Sequence, residues 1–307
     1  MNHLTSLPPH KEPALRRERA LVLGGGGSAG NAWLIGVVAG LADRGLDVTD
    51  ADLIVGTSAG ATAAAQLTSA PPAGLLDDIL ASPTQPLPPS GSTGAQRPSG
   101  SPSDHLQRTQ RIIDASQNIA DMRRRMGAAA IELAEASAGA GARWRQTVAA
   151  RLPRADWPSG RILITAVDAL TGEPIGFERG SGVELVDAVA ASCASGFAYP
   201  IGRRRYIDGG FRANAENADL ATGYARVLVL SPFGGASRTP AAWRTHLAAQ
   251  IEDLRSAGSL VESIAPDPQA RQAFGDNVMD PSTRVPAAQA GFAQGRDAAI
   301  RLTRFWR

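Results

Sequence analysis

Ser58 stands in Gly56-Thr57-Ser58-Ala59-Gly60, a G-x-S-x-G pattern that follows a short apolar run, Leu53–Val55. A serine on so abrupt a strand-to-helix turn needs small neighbours, which Gly56 and Gly60 supply. Its hydroxyl then projects at the carboxyl edge of a sheet, over a helix N-terminus whose dipole favours developing negative charge. Upstream, a second apolar strand, Ala20–Leu23, runs into four glycines, Gly24–Gly27. Backbone N–H groups in such a side-chain-free loop, those of Gly25, Gly26 and Gly27, suit an oxyanion hole. One strand–helix–strand unit separates the two motifs, which sets them on adjacent parallel strands. Either motif alone arises by chance in a chain rich in Ala, Gly and Ser. Together, in this setting, they point to nucleophilic acyl transfer.

A serine nucleophile needs a base. The chain has four histidines: His3 and His10 in the N-terminal tail, His105 at the edge of a Pro/Ser-rich stretch, and His246 inside an expected helix. None sits where a strand end meets a loop. The order Ser58, Asp208, His246 leaves a triad open. Asp208 is the better base, because it ends a strand and is followed by Gly209 and Gly210, which allow close approach of another backbone. In isolation Asp-Gly-Gly is an ordinary turn. An aspartate is a weak base in water, so the role requires a desolvated site that raises its pKa.

The elements that must position these groups alternate along the chain. A helix is expected from Ala29 to Arg44, a strand at Leu53–Val55, and a helix from Ala59 to Leu67. Residues 71–103, rich in Pro, Ser and Gly, read as a mobile loop. A helical tract, Asp104–Ala138, follows with the basic cluster Arg123–Arg125, then a short helix over Arg143–Arg151. Residues 71–155 thus form an insertion that reads either as a cap over the site or as a surface elaboration with a solvated charged face. The core resumes with a strand at Arg161–Val167, a hairpin partner at Ile175–Glu178, a helix over Val183–Ala194, and an edge running from Tyr199 to Asp208. A strand from Arg226, a helix over Ala241–Ser256, a strand at Leu260–Ile264 and a helix over Ala287–Phe305 complete it. Alternating strands and helices imply an α/β fold with a mainly parallel sheet and helices on both faces. Residues 1–18 read as a disordered tail and 19–307 as one domain.

Composition narrows the classes further. At 307 residues, with 43% hydrophobic and 20% charged residues and a net charge of +2, the chain is globular. Lys11 is the sole lysine, so nearly all basic charge is arginine, which in an Ala-rich chain suggests GC-rich coding DNA rather than a nucleic-acid site. The single cysteine, Cys193, cannot form an internal disulfide and reads as a small buried residue. No secretory leader or membrane span is evident. The expectation is a cytoplasmic protein; the arginine-rich insertion and the final GRDAAIRLTRFWR helix read first as helices with solvated arginines, with peripheral contact to an anionic membrane as the alternative. No metal-ligand cluster, cofactor or nucleic-acid partner is called for, and nothing indicates an oligomeric state.

GGGGSAG at 24–30, GTSAG at 56–60, ASCASGFAYP at 191–200 and DGG at 208–210, in this order, resemble the patatin-like phospholipase family over most of residues 20–232. The resemblance implies a three-layer α/β/α fold and hydrolysis of lipid acyl esters of the phospholipase A or lysophospholipase kind. It implies a Ser–Asp dyad without histidine: Ser58 as nucleophile, Asp208 as base and Gly25–Gly27 as oxyanion hole. The chain departs from the family at Ala29, where a basic residue usually stands, and at Ala215-Glu216, where Asn214 is usually followed by x-Pro. Both departures bear on substrate more than on chemistry. Two other readings stay open. One is a non-catalytic lipid-binding relative. The other is a dinucleotide-binding oxidoreductase, since Gly25-x-Gly27-x-x-Gly30 is formally a nucleotide fingerprint; its second strand, however, ends in Gly-Thr-Ser rather than in the acid that would hold a ribose.

Overall fold

The computed structural model describes residues 18–82, 102–137 and 139–307. The expected tail, Glu18 apart, and the Pro/Ser-rich stretch from 83 to 101 lie outside the described residues. In chain order the elements are β1 (Arg19–Leu23), α1 (Gly27–Asp43), β2 (Leu53–Gly56), α2 (Ala59–Leu67), α3 (Pro72–Ala81), α4 (Pro102–Asp114), α5 (Ile119–Glu135) and α6 (Ala140–Ala149). Then come β3 (Ile162–Asp168), β4 (Pro174–Phe177), α7 (Leu185–Ser192), β5 (Tyr199–Ile201) and β6 (Arg204–Asp208). The chain closes with β7 (Arg226–Leu230), α8 (Leu247–Ser256), β8 (Leu260–Ile264), α9 (Pro268–Phe274) and α10 (Arg284–Trp306).

The strands form one sheet in the order β5-β6-β3-β2-β1-β7-β8, with β4 also paired to β3. From β3 through β8 the neighbours on this path are parallel. Strand side chains alternate between faces. Leu21 and Leu23 of β1 join Ile54 and Leu228 in one core with α1, α2 and α10. Ala20 and Val22 join Val55, Val227 and Val229 in a second core with α8. Helices therefore cover both faces of a mainly parallel sheet.

The register of β3 brings the two candidate catalytic strands together. Ile164 pairs with both Gly56 of β2 and Phe177 of β4, so those two strands flank β3 on opposite sides. Ala166 pairs with both Ile175 of β4 and Asp208 of β6. It follows that β6 lies on the same side of β3 as β2, just beyond the end of β2 and antiparallel to β3. Asp208, the last residue of β6, stops where the Ser58 turn begins.

Several boundaries differ from expectation. Part of the expected mobile loop is a helix, α3, with Pro72 at its first position, where a missing N–H costs nothing. Its Leu75, Leu76 and Ile79 are buried on one face, a spacing that the neighbouring prolines obscured. The tract from Asp104 is two helices rather than one, because Asn118 caps a new start by accepting the Asp121 N–H. Residues Ala241–Trp243 are a single 3-10 turn, and left-handed Arg244 breaks the chain before α8. His246 is consequently the cap position of α8, not a mid-helix residue. α9 was not anticipated.

Two small-residue stripes draw the last helix in. Gly36 and Gly40 on α1 face the backbone of Ala288 and Phe292 on α10, while Gly291 and Gly295 face Trp33 and Val37. A Cβ at Gly36, Gly40 or Gly295 would overlap the opposing carbonyl oxygen. In the closing segment Trp306 is buried and Phe305 packs on the core, so these aromatics are not available to a membrane. Among the described residues no helix is long and apolar enough to cross a bilayer.

Candidate active site

Ser58 occupies the turn between β2 and α2 with φ 53°, a left-handed conformation that a residue with a Cβ adopts only under constraint. The constraint is visible on both sides of its backbone. The Ser58 N–H donates to Ser192 Oγ at 2.9 Å, and the Cys193 thiol donates to the Ser58 carbonyl at 3.1 Å. Burial pushes the Cys193 thiol up to about 12, which keeps it protonated for that task. A Cβ on Gly60 would overlap the carbonyl oxygen of Leu23, so only glycine lets α2 start this close to β1. Gly56 is similarly pressed against Ala61, 2.7 Å from where its Cβ would be.

Asp208 is 7% exposed and faces this turn. Burial raises its pKa to about 6, against two opposing influences: the Gly210 N–H, donated to Oδ1 at 2.8 Å, and the nearby Ser58 side chain. Its own N–H donates to the Ala194 carbonyl at 2.9 Å. Gly209 packs so tightly on Thr165 that a side chain there would collide with the Thr165 hydroxyl and carbonyl. Sequence and structure thus bring Ser58, Asp208, Gly56, Gly60, Gly209 and Gly210 to one place.

The glycine loop joins them with one correction. A Cβ on Gly25 would sit 3.4 Å from the Ser58 Cβ, so the loop lies against the serine. The Gly25 N–H, however, is already donated to the Ala215 carbonyl at 2.8 Å and cannot serve an oxyanion. Gly26 and Gly27 differ: among the described residues their N–H groups meet no acceptor, and the same holds for Ala59 at the start of α2. Gly27 adopts φ 64° and lies beneath Met279 and Val278, and Gly26 abuts Pro232. These contacts fix the loop from outside.

A buried polar network beneath the site carried no motif that sequence reasoning could find. Asn217, fully buried with φ 57°, donates to Thr57 Oγ1 and to the Gly209 carbonyl, both at 3.0 Å. Thr57 in turn meets Thr165 Oγ1 at 2.9 Å. One amide thereby ties the residue before Ser58 to the residue after Asp208. Its neighbour Glu216, standing where the resemblance has proline, is also fully buried and accepts from Ser231 Oγ at 2.6 Å. Burial raises its pKa as well. The Glu216 chain lies beside Gly24, so residues 214–217 brace both the glycine loop and the dyad.

Other candidates fall away from this centre. His246 Nε2 is engaged with the Thr239 carbonyl at 3.0 Å. Arg124 and Arg125 pair with Asp121, and Arg123 donates to the Arg212 carbonyl at 3.0 Å. Ala29, fully buried, cannot place a cation at the loop. Arg284 of α10 approaches instead, donating to Asn31 Oδ1 at 3.1 Å and to the Ser28 carbonyl at 3.4 Å. Among the described residues no group of His, Cys, Asp or Glu could hold a metal ion.

Comparison with known proteins gives three findings. Residues 21–220 match the family described as Patatin-like phospholipase. No curated protein matches the chain. Among solved structures the chain is similar to VipD from Legionella pneumophila at 13% identity and a TM-score of 0.42, covering 94% of this chain and 67% of that one.

Proposed function

Since the chain belongs to the patatin-like phospholipase family and is on that ground a lipid acyl hydrolase, we propose that it works through a dyad in which Ser58 is the nucleophile and Asp208 the base. One observation carries this reading: a buried Asp208 carboxylate, its pKa raised to about 6, beside the Ser58 side chain. A base whose pKa lies near the working pH is both ionised and strong enough to take a proton.

In the first half-reaction Ser58 Oγ attacks the acyl carbonyl carbon and its proton passes to Asp208. The carbonyl oxygen becomes an oxyanion facing the N–H groups of Gly26 and Gly27, with the Ala59 N–H as a further donor. Collapse expels the alcohol, which takes the proton from Asp208 and leaves an acyl-serine. In the second half Asp208 takes a proton from water as that water attacks the acyl-serine. The acid departs and Ser58 recovers the proton. Preset donors matter here because α2 and the loop need no reorganisation as charge develops.

The expected substrates are phospholipids and lysophospholipids. Fatty-acid release from phosphatidylcholine, lysophosphatidylcholine, diacylglycerol and an acyl thioester would be measured for the wild type, Ser58→Ala and Asp208→Asn. Both variants should lose turnover on every ester that the wild type cleaves. Turnover by Asp208→Asn within a few-fold of wild type would sink the dyad. Lipid binding by the wild type without any turnover would identify a non-catalytic relative instead.

A further inference from the structure

A narrow cleft opens beside Asp208, between the insertion and the core. One wall is His105, Arg108 and Ile112 of α4, the floor includes Met126 of α5, and the far side is Ser195, Gly196 and Phe211. Those last three neighbour Asp208 and its backbone partner along the chain, although Ser58 and Asp208 do not themselves line the cleft. Ser195 follows Ala194, whose carbonyl receives the Asp208 N–H, and Phe211 lies just beyond Asp208-Gly-Gly. The cleft measures about 280 Å³ out to its open mouth, with room for little more than a water at its closed end. The enclosed part is too small for an acyl chain, and a phosphate would lie at the open mouth.

Its chemistry is cationic. Arg108 Nη2 lies 3.5 Å from His105 Nδ1. An arginine can only donate, so that contact makes Nδ1 the acceptor and puts the imidazole proton on Nε2. Burial, Arg108 and Arg238 all lower the His105 pKa, which keeps the ring neutral in this form. Arg238 reaches the same rim by donating to the Leu106 carbonyl at 3.1 Å. Several other arginines are matched to carboxylates, Arg145 with Glu184 and Asp187, Arg161 with Glu178, Arg212 with Asp219 and Arg244 with Asp253, whereas Arg123 and Arg284 meet carbonyl or amide oxygens. Among the described residues no carboxylate forms an ion pair with Arg108 or Arg238. Converging donors without a counter-ion, one loop away from the candidate base, are matched by an anion that arrives with the substrate.

Resting on the dyad reading above, we propose that this cleft holds the phosphate of a phospholipid substrate, with the Arg108 guanidinium and the His105 Nε2–H as donors and Arg238 at the rim. The cleft then selects phosphate-bearing lipids over neutral glycerides of the same acyl composition. The shared chemistry is a phosphate oxyanion, whether borne by a lipid or free in solution.

The test compares phosphatidylglycerol with diacylglycerol of identical chains in mixed micelles, for the wild type, Arg108→Gln, His105→Gln and Arg284→Gln. Arg108→Gln should lower kcat/KM on phosphatidylglycerol about tenfold, the size expected for one charge-assisted hydrogen bond, and leave diacylglycerol unchanged. His105→Gln should show a smaller loss of the same selectivity. Inorganic phosphate that competes with phosphatidylglycerol in the wild type but not in Arg108→Gln would show that the site takes free phosphate too. Selective loss without such competition would support a headgroup site only. Equal losses on both lipids, or no loss on either, overturn the assignment. A selective loss in Arg284→Gln alone would move the phosphate to the glycine loop and also overturn it. A binding arm stands apart from catalysis: the Ser58→Ala protein, titrated with dibutyryl phosphatidylglycerol and with dibutyrin, should prefer the former, and adding Arg108→Gln should abolish the preference. No preference sinks the cleft even if the dyad holds. A preference in a chain that hydrolyses nothing sinks the dyad alone.

Discussion

Asp208 has two sides, built by opposite means. On the sealed side, toward β2 and β3, backbone meets backbone: a side chain at Gly60 or Gly209 would strike Leu23 or Thr165, and the polar groups are buried, with the Arg212 guanidinium behind Asn217 paired to Asp219. On the open side, toward α4, contact is made by a few side chains, Ile113, Met122 and Met126 among them, and the cleft sets the Arg108 cation among the uncharged polar groups of His105, Thr109 and Ser195. The difference separates two jobs. A sealed, rigid wall with its charges paired can raise a carboxylate's pKa and hold a strained serine. An open, charged wall can change its ligand without disturbing the base.

The comparison breaks most readily at Gly60. Gly60→Ala should remove more than about 4 kcal/mol of stability, since a Cβ has no space and the obstacle is backbone. Denaturant melts check it; a near-wild-type midpoint would mean that the elbow is loose. Next comes Asp208→Asn, with turnover expected to fall by roughly 10²–10⁴-fold while the fold gains stability. The gain follows from the sign of the pKa shift. Asp208 has a folded-state pKa of about 6 against an ordinary value of 3.8, so the folded protein binds the proton more tightly. The favourable contribution of that proton is complete below pH ~4 and is lost as pH rises through ~6. Thermal melts of wild type and Asp208→Asn should therefore diverge as pH rises from 4 to 7, with the variant higher. Activity runs the other way, because the base must be ionised: kcat/KM should climb through pH ~6 and level off above it.

Asn217→Ala sharpens the sealed side. Three bonds disappear, two of 3.0 Å donated to Thr57 and Gly209 and one of 3.2 Å accepted from Arg212, and buried acceptors at Thr57 and Gly209 lose a donor, a loss of about 2–3 kcal/mol. Because the amide spans both halves of the dyad, kcat should fall with KM little changed; a change confined to stability would make Asn217 structural only. The smallest effect belongs to the open side. Arg125→Ala removes a half-exposed partner of Asp121, and both stability and turnover should stay within about 0.5 kcal/mol of wild type.

What the sequence made legible follows the same division. Apolar runs marked β1, β2, β7 and β8, and the glycines that end the first two marked the two turns, because backbone-on-backbone packing leaves its trace as glycine. The Ser58 elbow and the Asp208 strand end were legible for that reason. Asn217 and Thr165 were not, since a lone amide and a lone threonine look the same on a surface as in a buried network. Ser192 and Cys193 sat inside a motif without a visible task until their contacts with the Ser58 backbone were in view. Gly25 looked like its neighbours, and only the Ala215 carbonyl distinguishes it. α3 was hidden because proline at a helix start and proline in a loop read alike.

The central claim is that Ser58 is a nucleophile activated by Asp208 alone. Intact-mass spectrometry after brief exposure to a fluorophosphonate, on wild type, Ser58→Ala, Asp208→Asn and His246→Ala, tests it most directly. The account predicts a single adduct on wild type and on His246→Ala, none on Ser58→Ala, and labelling slowed by orders of magnitude in Asp208→Asn. An unlabelled but folded wild type, an adduct that survives Ser58→Ala, or labelling that depends on His246 rather than Asp208 would contradict it.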